Sequence, residues 1–180
     1  EFGAAAADHY LELANLTNEE GANFTQLREV IAQAYGDYST ICPVVLFSET
    51  FYRYSATSGS NTSSYSWMLT RPAARHIMTI CTETWMGACH ADELYFLFTI
   101  QWQVSAEDRQ LSRDIIEAWT NFAKSAAPGA IGGVPWTSAT LPTTSTTGST
   151  SYMALDYQFE MVHNHYVNTC GTFWRDKIFI

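Results

Sequence analysis

Residues 105–129 read SAEDRQLSRDIIEAWTNFAKSAAPG, and no other stretch limits the fold as much. Ser105 is a helix-capping residue, because its hydroxyl accepts from a backbone N–H of the first turn. Glu107 and Asp108 follow with negative charge, where the helix dipole favours it. Leu111, Ile115, Trp119 and Phe122 recur at helical spacing and predict one buried stripe. Pro128 and Gly129 end the pattern. Upstream, YSWMLT at 65–70 reads as a strand, stopped by Arg71–Pro72 because a residue before proline avoids helical angles. Strand, loop and long helix in that order build α/β sheets, whose functional groups gather on loops beyond the strand ends. The chain is therefore expected to be α/β.

The remaining segments fit that class. Residues 7–20 form a short amphipathic segment with Tyr10, Leu11 and Leu13 apolar. NFTQLREVIAQAYGDY predicts a helix whose inner face is Phe24, Leu27, Val30, Ile31 and Ala34, stopped by Gly36. STICPVVLFSETFYRYSA opens on a capping hydroxyl and carries Pro43 early, where a helix tolerates it. Val44, Phe47, Phe51 and Tyr54 then share one face. SATSGSNTSS is a polar turn. Residues 137–151 are mostly Thr and Ser and predict an exposed loop. YMALDYQFEMV alternates as a strand or hairpin, and YVNTCGTFWRDKI predicts a last helix with Val167, Cys170 and Phe173 or Trp174 inward.

Composition excludes several classes. A chain of 180 residues suits one domain, or a piece of a larger one. A net charge of −9 argues against nucleic acid, which needs clustered Lys and Arg. No apolar run is long enough to span a membrane. The opening EFGAAAADHY lacks Met and reads as a processed, truncated or engineered end. The four cysteines, Cys42, Cys81, Cys89 and Cys170, allow two disulfides in three pairings. Asn15, Asn23 and Asn61 each head an Asn-x-Ser/Thr acceptor. Cysteines and acceptors together point to a secreted protein.

The chemistry centres on CTETWMGACHADELYFLF, residues 81–98. A histidine on a loop beside a sheet is placed to act as a base. The local ligand types Cys81, Cys89, His90, Asp92 and Glu93 also suit zinc, as do His163 and His165. Neither set has a recurrent zinc spacing, so no metal is assigned. Cys81 and Cys89 read as a local disulfide that would tether the His90 loop, with two free thiols as the alternative. Asp92 is expected at the surface.

The segments GDYSTICP, WMGACHADELYFLF, LSRDIIEAWTNFAKSAAPG, VPW and CGTFW resemble, in order and spacing, the type-B carboxylesterase/cholinesterase family. The resemblance runs from Gly36 to Trp174 and covers the C-terminal third of a typical member. It implies that residues 1–180 are the C-terminal segment of one α/β-hydrolase domain, with a mixed central sheet and flanking helices. The Gly87, His90, Glu93, Leu94 pattern makes His90 the general base of a Ser-His-Glu/Asp triad. Glu93 matches a buried acid behind the site, and Cys42 and Cys170 match a family disulfide. Pro135–Trp136 reverses the family's Trp-Pro order. No Gly-x-Ser-x-Gly elbow occurs in this sequence. The resemblance thus implies a carboxylic-ester hydrolase needing no cofactor and acting on small-molecule or lipid esters. Its serine and acid are expected on the N-terminal remainder or on a separate chain. Some relatives of this fold are adhesion proteins with broken triads, which leaves a non-catalytic, partner-binding role as the alternative.

Overall fold

A computed structural model describes residues 2–16, 23–59, 63–76, 81–98, 104–138, 151–163 and 165–178. Three helices come first: α1 (Phe2–Leu13), α2 (Phe24–Gly36) and α3 (Cys42–Thr57). Asn23 caps α2 by accepting from the Gln26 N–H at 3.0 Å, while the Gln26 side chain accepts from the Asn23 N–H. That reciprocal pair satisfies two donors the helix start leaves open. Gly36 does not stop the helix. It keeps right-handed angles (φ −62°, ψ −45°), and a π-helical turn over Asp37–Ile41 carries the chain into α3. Nor does Ser39 cap α3, since its hydroxyl donates back to the Tyr35 carbonyl at 2.7 Å.

The sheet is mixed and small. Strand β1 (Trp67–Leu69) pairs in parallel with β4 (Ser151–Leu155), Met68 facing Ala154. Strand β5 (Glu160–His163) returns antiparallel on β4, Met153 facing Met161. Between the parallel strands run α4 (Asp92–Phe98) and α5 (Ala106–Ser125), so the crossover is helical as an α/β sheet requires. A tight hairpin, β2 (Ala130–Ile131) with β3 (Val134–Pro135), follows α5. Gly132 and Gly133 both take positive φ at its turn, and a Cβ on Gly132 would run into the Phe159 ring. The expectation of a loop over 137–151 fails at its last residue. Ser151 is a buried strand residue facing His163, and residues 139–150 lie outside the described set.

Two apolar clusters hold these pieces. One joins Phe96, Leu111, Ile115, Ile131, Met153 and Leu155 between α5, the sheet and α4. Ser105 caps α5 through the Asp108 N–H at 2.9 Å. The α5 stripe is turned slightly from the expected one: Leu111 and Ile115 are buried with Ala118, while Phe122 faces outward. The second cluster joins Tyr10, Cys42, Cys170 and Trp174. Here Cys42 and Cys170 form a disulfide across a separation of 128 residues, worth up to ~4–5 kcal/mol in the chain-entropy model. Trp174 Nε1–H donates to the Tyr10 hydroxyl at 2.7 Å, and that hydroxyl donates to the buried Asp37 at 2.7 Å. Trp174 lies in a π-helical turn over Thr169–Trp174 that leads into α6 (Arg175–Ile178). Glu49 of α3 is also buried, and takes Arg175 at 2.6 Å and Arg53 at 2.8 Å.

The face expected inward on α3 is not inward, and that on α2 is inward only in part: Leu27, Val30 and Ala34 are half-buried, with Val30 and Ala34 packed on the second cluster. Phe24 and Ile31 are exposed, as are Val44, Phe47, Phe51 and Tyr54. The disulfide, Leu46 and Glu49 fix the opposite side of α3 against the second cluster, which rotates the apolar stripe outward.

Candidate active site

The segment between β1 and α4 carries the candidate base. A short 3₁₀ turn over Thr84–Met86 is followed by Gly87 at φ +64°. Cys89 is bonded to Cys81, so the turn before α4 is tied down eight residues back. His90 then stands exposed at the lip of α4. Ala91 behind it takes φ +72°, a left-handed angle that costs a residue with a Cβ about 1–2 kcal/mol. Such a conformation persists only where neighbouring contacts over-determine it.

Those contacts come from Asp92, the first residue of α4. The expectation of a surface Asp92 is overturned, for its relative exposure is 0%. Its Oδ2 accepts the Cys89 N–H at 2.8 Å, and both oxygens meet His76 Nδ1 at 2.8–2.9 Å. The Ala73 N–H lies at 3.5 Å from the same carboxylate. An ionised carboxylate this deep needs such donors to offset lost hydration. Glu93, one residue on, is only half-buried. Asp92 and His76 are the residues that sequence reasoning missed. The signal available was local: an acid three residues after a loop amide is placed to accept from it.

His90 borders a cavity of about 830 Å³. Glu29, Gly36, Asp37 and Ile41 line it from the α2–α3 side, Trp85, Met86 and Ala88 from the His90 side, and Tyr166 from the C-terminal part. Arg28 of α2 lies over the Trp85 ring at 3.9 Å, a cation–π contact that joins the two walls. Burial pushes the Asp37 carboxyl above its ordinary value, against the opposing hydrogen bond from Tyr10. Burial also raises the Tyr166 phenol, with the Asp37 charge adding to it. Both groups thus favour their neutral forms more than in water. Among the described residues, no hydrogen bond engages the His90 ring.

Other candidates separate cleanly. Ser151 and His163 share a hydrogen bond of 2.8 Å, but they are a cross-strand pair of the β4–β5 hairpin and do not line the cavity. The ligand atoms of His76, Cys81 and Cys89 lie within 4.8 Å of one another. Both sulfurs are joined in the disulfide, so neither offers the thiolate a metal binds. It is His76, not His90, that stands by the sulfurs. The acceptors Asn15 and Asn23 are exposed, and Asn61 lies outside the described residues. Among the described residues, no helix is long and apolar enough to cross a membrane.

Comparison with known proteins bears on what this loop belongs to. The carboxylesterase family model matches residues 1–174. Acetylcholinesterase-1 of Trittame loki is 30% identical over 142 residues, 77% of this chain and 23% of that protein. Acetylcholinesterase of Gallus gallus is 28% identical over 114 residues, 61% of this chain and 14% of that protein. Bile salt-activated lipase of Rattus norvegicus is 38% identical over 69 residues, 36% of this chain and 11% of that protein. The chain therefore spans less than a quarter of the length of these relatives. With a family match over nearly its whole length, and esterases and a lipase among its relatives by name, the chain belongs to the carboxylesterase family.

Proposed function

We propose that this chain supplies His90 as the general base of a serine carboxylic-ester hydrolase. The serine and the acid of a Ser-His-Glu/Asp triad lie, on this reading, outside residues 1–180, on the N-terminal remainder or a separate chain. One observation carries it. The His90 ring is exposed at a cavity while the backbone on both sides is fixed, by the Cys81–Cys89 bond before it and Asp92 after it. A surface histidine without a task needs no such support. The length of the relatives leaves room for the other triad members.

The reaction is a double displacement. Neutral His90 takes the serine proton as the oxygen attacks the ester carbonyl. Backbone N–H groups hold the oxyanion, and His90 returns the proton to the departing alcohol. Water then enters by the same route, freeing acid and serine. Glu93 serves behind the site as a supporting acid. Secretion fits the two disulfides, which persist in oxidising compartments. Asn15, Asn23 and Asn61 are its glycosylation acceptors.

The test is His90→Ala in the protein that carries the serine, assayed on a simple phenyl ester. Loss of a triad member is expected to lower turnover by about 10⁴-fold or more. Undiminished hydrolysis would remove His90 from the mechanism, whereas no hydrolysis by the unsubstituted protein would favour the non-catalytic, partner-binding role.

A further inference from the structure

We propose that Asp92 and His76 form a buried carboxylate–imidazole pair that positions His90. The inference rests on the reading of His90 as the base and deepens it. Neither residue touches substrate; both act through the turn.

The geometry is local and specific. Cys89 and Asp92 bracket His90 and Ala91, and the Asp92 Oδ2 to Cys89 N–H bond closes that four-residue turn at 2.8 Å. The Asp92 N–H also donates to the Cys89 carbonyl at 3.1 Å, so the turn is closed twice. Ala91 is held left-handed inside it. Without the closing bonds, a residue with a Cβ relaxes toward negative φ and carries the preceding Cα, that of His90, with it. The Asp92 side chain is therefore the lock on the base's backbone.

His76 holds that lock in place. Its Nδ1 contacts both oxygens of Asp92 at 2.8 and 2.9 Å, which fixes the carboxylate plane. With Nδ1 donating, the ring gives a hydrogen-bond partner to an acid that is otherwise sealed from water. The His76 side chain is 20% exposed, so it links the sealed acid to the surface. The two residues are 16 apart in sequence, which ties the segment after β1 to the start of α4. Misplacing a general base by about 1 Å costs ~10²-fold in rate. A pair that sets the position of His90 is thus expected to act on turnover and leave substrate affinity alone.

The experiment compares Asp92→Asn, His76→Ala and His76→Asn with His90→Ala in the protein carrying the serine. Circular dichroism and the unfolding midpoint check that each variant is folded. Asp92→Asn and His76→Ala are expected to lower kcat by about 10- to 100-fold with KM within twofold. In His76→Asn the side-chain amide N–H stands where Nδ1–H stood, so most of the kcat should return. If Asp92→Asn does not fold, the two His76 variants decide alone, since that side chain is partly exposed. Full kcat in folded His76→Ala, with His90→Ala inactive, would overturn the positioning pair and spare the base. A matching loss in His76→Ala and His76→Asn would also overturn it. Undiminished activity in His90→Ala would sink both readings together.

Discussion

Helix α5 lays its apolar stripe against the sheet, while helix α3, sixteen residues long, carries its own stripe into solvent. Both are amphipathic and both form. The difference lies in what stands opposite. The elements β1, β4, β2 and Phe96 of α4 stand opposite α5, so its stripe meets a closed apolar cluster. The α3 side that faces the protein is instead held by a disulfide, Leu46 and the Glu49 ion pairs. An apolar stripe states which side of a helix calls for cover. It does not state that the same 180 residues provide it.

The sharpest way to break this contrast is in the α5 cluster. Leu111 is 2% exposed and packs beside Ile115 and Phe96. Leu111→Ala removes that contact and leaves a cavity, at a cost of about 2–5 kcal/mol. Denaturant unfolding measures it, as a lower midpoint at unchanged slope. A loss under about 1 kcal/mol would mean that the α5 side is no better packed than α3.

Much of this arrangement is legible in the sequence. The α5 cap at Ser105, the β1 strand and the 152–162 hairpin each follow from local patterns that tertiary packing reinforces. What sequence did not carry was decided at a distance. Gly36 reads as a helix stop, but nothing local requires left-handed angles there, so the chain turns through a π-helical step. The α3 stripe reads as core because the rule counts apolar residues and not the partners available to them. At the candidate site, His90 stood out by its motif, whereas Asp92 looked like one more charged helix start. Its burial depends on His76, sixteen residues back, and no periodicity links the two.

A smaller effect is expected on the side of α3 that does face the protein. Glu49 is buried, which by itself raises its carboxyl, yet hydrogen bonds and charge from Arg175 and Arg53 hold it below the ordinary value. A carboxyl depressed on folding stabilises the folded state above its unfolded value, and that contribution fades as pH falls through the folded one. Glu49→Gln is therefore expected to cost about 1–2 kcal/mol at neutral pH, because both arginines remain half-open to water and the pairs are partly screened. The gap between the two proteins should narrow on acidification below the ordinary glutamate value of ~4.3 and vanish below the depressed one. Urea midpoints across that range check it. A gap that stays constant with pH would mean that packing, not the ion pairs, anchors this side of the helix.

The smallest effect is expected on the outer side of the same helix. Phe47 is 66% exposed and touches Phe51 along α3, the two rings 6.3 Å apart. Burial of a phenylalanine usually contributes a few kcal/mol, but only where water is excluded. Phe47→Ser in the 180-residue chain should therefore change the unfolding midpoint by less than about 0.5 kcal/mol, as surface substitutions do. Solubility is the property it should move, upward, because the patch with Val44, Phe51 and Tyr54 loses its centre. The pairing with Leu111→Ala gives the result its meaning. Two large apolar side chains, on helices of similar quality, would then differ in cost by about 2–5 kcal/mol solely through what faces them. A loss above about 2 kcal/mol at Phe47 would show that this stripe packs on something in the chain itself, and the contrast between α3 and α5 would fall.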